Sequence, residues 1–139
     1  MKIKTSKSII YLKEYNKNKE IPFFFLHGFS GTSSSWINII NKHKKFSYSI
    51  DLPGHGKSSF IDINTEYTIN DWCNELYMIL NELSIKKINL CGYSMGGRLS
   101  IAFAHKYPDK INSLILESSS IGLNESEVRS ERYYKDLER

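Results

Sequence analysis

Residues 90–98 read Leu-Cys-Gly-Tyr-Ser-Met-Gly-Gly-Arg, and they place Ser94 between Gly92 and Gly96 in the pattern G-x-S-x-G. The apolar residues before it and the helical pattern after it fit a strand that turns sharply into a helix, with the serine hydroxyl pushed out of the sheet at the turn. Only small flanking residues avoid a clash in such a turn. A serine hydroxyl becomes a nucleophile or base once a neighbouring group takes its proton, and charge that develops on a substrate oxygen needs fixed donors. Chance alone puts this pattern in roughly 5% of chains this long, so context must decide. Two further glycine-bearing runs supply it: His27-Gly28-Phe29-Ser30-Gly31 and Pro53-Gly54-His55-Gly56-Lys57-Ser58. The backbone N–H of Met95 and that of Phe29 are the natural oxyanion donors, and His55 is expected to brace its own loop.

The elements that must position these groups follow from periodicity. Residues 8–15 alternate as a strand, 22–26 form a continuous apolar run suited to a strand buried on both faces, and 46–52, 87–91 and 111–116 are further strands. A helix is expected over 33–43, where Trp36, Ile37, Ile39 and Ile40 recur at helical spacing after a run of candidate serine caps. Thr68, with Asp71 three residues on, caps a second helix whose face carries Ile69, Trp72, Cys73, Leu76, Leu80 and Leu83. Residues 98–107 form a third, closed by Pro108, while 60–67 read as polar and irregular. Strands alternating with helices indicate a mostly parallel sheet covered on both faces, an α/β fold. All three glycine-bearing loops then fall at the carboxyl ends of strands, where ligands bind in such sheets.

Composition narrows the remaining classes. The 139 residues suffice for one domain, and 40% hydrophobic with 24% charged residues reads as a globular chain. No apolar run approaches a membrane span or a signal peptide, so no membrane association is expected and the compartment is expected to be cytoplasm or plastid stroma. The net charge is +4, but the lysines are dispersed without aromatic interleaving, which argues against nucleic acid and leaves a mildly positive field suited to an anionic substrate. Cys73 and Cys91 each lie in an apolar pattern and read as buried free thiols. Neither a metal nor an organic cofactor is indicated, because the Cys/His spacing and the glycine patterns match no such site.

Taken together, His27-Gly28-Phe29, the run 51–58 and Gly92-Tyr93-Ser94-Met95-Gly96-Gly97 resemble the α/β-hydrolase fold family over nearly the whole chain. A narrower resemblance, carried by residues 92–98, 114–118 and 122–132, is to the 2-succinyl-6-hydroxy-2,4-cyclohexadiene-1-carboxylate synthases, pyruvate-eliminating enzymes of menaquinone and phylloquinone synthesis. That resemblance implies a lyase in which the activated Ser94 abstracts a proton and pyruvate leaves as the conjugated system forms. It also implies a small substrate with several carboxylates, bound by Arg98, Arg132, Tyr93 and His27. Arginine suits this role because its planar fork matches a carboxylate as lysine cannot. Two other readings share part of the pattern. A general serine esterase or thioesterase would use the elbow and the His27 loop but not the arginines, and a non-catalytic anion-binding relative would keep only the crevice.

In this family the serine is followed by an acid and then a histidine. After Ser94 the only histidine is His105, about 16 Å away along a helix and out of reach. The resemblance implies a cap, further strands and the loops with the acid and histidine. The chain is therefore expected to be an N-terminal portion or a truncated relative. Residues 1–121 would be the first part of the core and 122–139 the start of a cap. The last strand would then be an exposed edge, to be covered by a complementary C-terminal half or by self-association.

Overall fold

Both faces of Phe23–Leu26 must be covered for so apolar a run to be stable, and the computed structural model, which describes residues 1–121, shows how. Strands β1 (Lys2–Lys4), β2 (Ser8–Tyr15), β3 (Phe23–Leu26), β4 (Ser47–Ile50), β5 (Ser59–Phe60), β6 (Ile88–Tyr93) and β7 (Ile111–Glu117) share one sheet. Its order is β1-β2-β4-β3-β6-β7, with β5 paired to β2. Helices α2 (Ile69–Glu82) and α3 (Met95–Lys106) pack on one face, and α1 (Ile37–His43) on the other. Alternation along β3 sends Phe24 and Leu26 into the larger core with Trp72, Leu76, Leu90 and Phe103, and Phe25 into the smaller one with Trp36, Ile40 and Cys91.

The pairings β3–β4, β3–β6 and β6–β7 are parallel, as expected of strands joined by helices. The amino-terminal end departs from the expectation. Lys2–Lys4 pairs antiparallel with β2, β2 is antiparallel to β4, and Phe60, the first residue of the segment read as irregular, forms β5 with Ser59. A three-residue lysine-rich strand carries too little periodicity to be seen in sequence, and its charge blunts that edge of the sheet. The helix expected over 33–43 begins instead as a 3-10 turn, Ser33–Trp36, and its cap is Thr32, whose hydroxyl accepts from Ser34 N–H. The expected capping box of α2 is present, with Thr68 and Asp71 satisfying one another's backbone N–H groups. Ile69 at its first position is exposed, while Ile79 completes the buried face. Cys73 and Cys91 are buried free thiols.

One buried side chain on α2 has no apolar logic. Glu75 is fully buried; its Oε1 accepts from Thr5 Oγ1 and Lys7 N–H, each at 2.7 Å, and its Oε2 from the Tyr67 hydroxyl at 2.6 Å. It ties the β1–β2 hairpin to α2. Replacing Glu75 by Ala is expected to lower stability by about 2–4 kcal/mol, because one buried and two part-buried donors lose their acceptor together. Urea unfolding followed by circular dichroism measures this, and a loss below about 0.5 kcal/mol would show that the hairpin does not depend on the clamp.

Candidate functional site

Ser94 joins β6 to α3 with φ 50° and ψ −112°, a conformation costly for a residue with a side chain. Its neighbours hold it there. The first turn of α3 lies so close to the end of β3 that a Cβ on Gly96 would collide with the carbonyls of Leu26 and His27. From the other side, Ser94 N–H donates to the Glu117 carbonyl at 2.9 Å, and Ser119 Oγ lies 3.2 Å from the Ser94 carbonyl. The strand β6 runs two residues further than periodicity suggested, through Tyr93, because β7 pairs with it as far as Glu117.

The second loop closes directly on this elbow. Gly31 N–H donates to the Gly28 carbonyl at 3.0 Å, with Ser30 at φ 60°, so the chain reverses immediately after β3. A Cβ on Gly28 would come within 2.8 Å of the Tyr93 ring and 3.5 Å of Ser94 Cβ, so any larger residue there would have to displace the ring. Within the turn, Phe29 follows Gly28 and its side chain is 70% exposed. Met95 opens α3, where the first N–H groups have no intrahelical acceptor and the helix end carries partial positive charge. The third loop is fastened to the second: the His27 and His55 rings lie 5.0 Å apart, and those of Phe29 and His55 6.3 Å apart. His55 Nδ1 is 3.1 Å from the Pro53 carbonyl, the bracing expected of it.

His27 requires a correction. It was expected to contact substrate, but it is fully buried and both ring nitrogens are engaged by backbone. Nδ1 donates to the Gly28 carbonyl at 2.7 Å and Nε2 accepts from Leu52 N–H at 3.0 Å, which assigns the neutral Nδ1–H tautomer. Burial, the largest effect, holds its pKa below the ordinary value. The ring is thus a peg joining two loops. Asp51 is another such peg that periodicity does not reveal. It is buried, Oδ1 accepting from Ser33 N–H at 2.6 Å and Oδ2 from Lys57 N–H at 2.8 Å.

Arg98 lies one turn beyond Ser94, its N–H bonded to the Ser94 carbonyl at 3.1 Å. Its side chain is exposed and makes no ion pair among the described residues. Tyr93 is 44% exposed. Arg132 lies outside the described residues, as does the whole of 122–139. No hydrogen bond to Ser94 Oγ occurs among the described residues, and His105 is exposed near the far end of α3. Among those residues no three His, Cys, Asp or Glu side chains gather as a metal would require. No helix among them is long and apolar enough to cross a membrane.

An elbow serine at the carboxyl end of the parallel strands, between the Gly28 turn and the start of α3, defines a class. The chain belongs to the α/β hydrolase fold family, whose model matches residues 21–134. Among curated relatives it is 35% identical over 113 residues to the 2-succinyl-6-hydroxy-2,4-cyclohexadiene-1-carboxylate synthase of Klebsiella pneumoniae subsp. pneumoniae, covering 81% of this chain and 44% of that protein. It is also 31% identical over 120 residues to Protein PHYLLO, chloroplastic, of Arabidopsis thaliana, covering 81% of this chain and 7% of that one. Among solved structures, a marine microorganism esterase superposes with a TM-score of 0.79 at 25% identity, over 92% of this chain and 48% of that one. The chain thus spans less than half the length of the synthase it matches.

The state of His27 sets a pH dependence. Its folded pKa lies below the ordinary 6.5 of the unfolded chain, so the unfolded state binds more protons between the two values. The associated stability is present above about 6.5 and is lost as pH falls from there through the folded pKa. Urea midpoints measured from neutral to mildly acidic pH are expected to fall more steeply for the native chain than for His27→Gln. Equal slopes would show that the ring does not stay neutral in the folded state.

Proposed function

We propose that the crevice around Ser94 serves a pyruvate-eliminating lyase reaction of the kind named for the synthase relatives, in menaquinone or phylloquinone synthesis. The observation that carries this reading is Arg98: an exposed guanidinium one helical turn from the elbow serine, without an ion-pair partner among the described residues. A hydrolase of neutral esters has no use for it, whereas a substrate with several carboxylates does.

In this reading Arg98 anchors a substrate carboxylate, and Tyr93 packs against the ring system. Ser94 Oγ takes the proton whose loss starts the elimination. Negative charge then builds on a substrate oxygen, where the N–H groups of Phe29 and Met95 receive it. The serine acts only if its own proton can pass to an acceptor, and a residue outside 1–121 would provide that. Arg132 is assigned to a second carboxylate. The substrate is small and anionic, and the reaction needs no cofactor.

A serine esterase is the second reading, favoured by the likeness to the marine esterase and to a thermophilic esterase from Thermogutta terrifontis at 27% identity and TM-score 0.78. The two separate in a chimera in which the aligned residues of this chain replace those of the Klebsiella synthase. Supplied with the cyclohexadiene precursor and with an aryl ester, it is expected to release pyruvate without comparable ester turnover. Ser94→Ala is expected to lower that rate by about 10³-fold or more, and Arg98→Ala to lower kcat/KM by about 10- to 100-fold, chiefly through KM. Ester hydrolysis without pyruvate release would transfer the site to the esterases. An Arg98→Ala variant with unchanged KM would remove the observation on which the lyase reading rests.

A further inference from the structure

The loop between β5 and α2 presents an isoleucine to water on a rigid turn. Ile63 is 86% exposed and Ile61 47%. Thr65 N–H donates to the Asp62 carbonyl at 3.1 Å, Asn64 N–H to Asp62 Oδ1 at 2.9 Å, and Ile61 N–H to the Lys7 carbonyl at 2.9 Å. A turn fixed in this way loses little freedom on docking. Asp62 and Glu66 flank Ile63 and make no ion pair among the described residues, while Lys7 pairs with Asp71 at 3.0 Å. The other end of β2 offers the complement. A groove of about 680 Å³ lies between the β2–β3 turn and the α2–β6 turn, its apolar lining made by Ile21, Pro22, Phe46, Leu83 and Ile85. Lys17, Lys19, Lys86 and Lys87 border it, with Glu14 and Glu20 as its acids. Glu14 is engaged, accepting from the Tyr48 hydroxyl at 2.5 Å and standing 4.0 Å from Lys17 Nζ. Four cations against two carboxylates leave the groove positive, and only the fold brings these lysines together.

We propose that the 61–66 loop of one copy of this chain docks in the lysine-bordered groove of a second copy. The two surfaces cannot meet within one molecule. Ser8 pairs with Phe60 beside the loop and Tyr15 with Ser47 beside the groove, so the length of β2, about 26 Å, holds them apart. Between copies, Ile63 meets the apolar lining while Asp62 and Glu66 face the lysines, giving the apolar centre and charged rim of a protein interface. Nucleic acid fits the groove less well. No arginine lines it to fork on a phosphate, and its rings, Phe46 and Tyr48, are too buried to stack on a base. Neither surface is made by β7 or by anything after it, since all the residues involved precede 88. A six-residue loop buries less than the roughly 1,200 Å² of stable interfaces, so the association is weak and is screened by salt. It is independent of the reaction assigned to Ser94.

Complementary variants of the 139-residue chain test it. Ile63→Asp spoils the loop and keeps the groove, whereas Lys86→Glu with Lys87→Glu spoils the groove and keeps the loop. These positions are exposed, and circular dichroism checks that both variants fold. In sedimentation equilibrium from micromolar to millimolar concentration, each variant alone is expected to associate about tenfold or more weakly than the native chain. An equimolar mixture is expected to form a one-to-one pair, with the sound loop of one variant in the sound groove of the other. When the Ile63→Asp chain is isotope-labelled, its amide resonances at 17–20 and 84–87 are expected to shift as the other variant is added. A native chain that stays monomeric, variants that associate as tightly as it does, or a mixture without the pair would each overturn the proposal. So would amide shifts confined to other surfaces.

Discussion

Everything at the candidate site depends on how closely the first turn of α3 approaches the end of β3. A Cβ at Gly96 would occupy the space of two β3 carbonyls, so the helix can lie there only with glycine at that position. Once it does, Ser94 has no relaxed conformation available and is forced to φ 50°. Such a backbone costs on the order of 1–3 kcal/mol. It persists because the Ser94 N–H and carbonyl are both engaged, by Glu117 and by Arg98 and Ser119. The same approach sets the Gly28 turn against Tyr93 and Ser94 and opens α3 at Met95 directly after the serine. Geometry that is expensive locally is thus what gathers the chemical groups.

The loops that complete the crevice are fastened from below by buried polar side chains. His27 donates to the carbonyl of one loop and accepts from the N–H of the other, and Asp51 accepts from the N–H groups of Ser33 and Lys57. These pegs are buried, and they tie the loops that carry Phe29 and His55 to the end of the sheet. By contrast, Tyr93, Phe29 and Arg98 are exposed. Substrate recognition in the proposed lyase then rests on a few exposed groups held by a rigid floor.

Much of this was legible in the residue pattern, and the exceptions have physical causes. The β3 run, the α2 capping box and the elbow each have strong local signals, and the structure places them as expected. The lysine-rich β1 has no apolar periodicity and exists only because β2 offers it an edge. Glu75 looks like a surface residue of α2 until the hairpin folds over it, a long-range event that no window of sequence contains. His27 was misassigned for a related reason: a histidine beside a glycine turn looks equally suited to ligand or to backbone, and only burial decides between them. Ser119 carries no signal of its own, although Gly97, whose Cβ would strike its hydroxyl, marks the space it fills.

The central claim is that Phe29, Met95 and Arg98 together form an anion-receiving wall beside Ser94. Amide nuclear magnetic resonance of the labelled chain, titrated with a dicarboxylate such as succinate, reads those groups one by one. Saturable shifts centred on the Phe29 and Met95 amides and the Arg98 side-chain N–H, weakened by Arg98→Ala, are the expected result. Shifts confined to surface lysines, with those three signals unmoved at saturation, would contradict it.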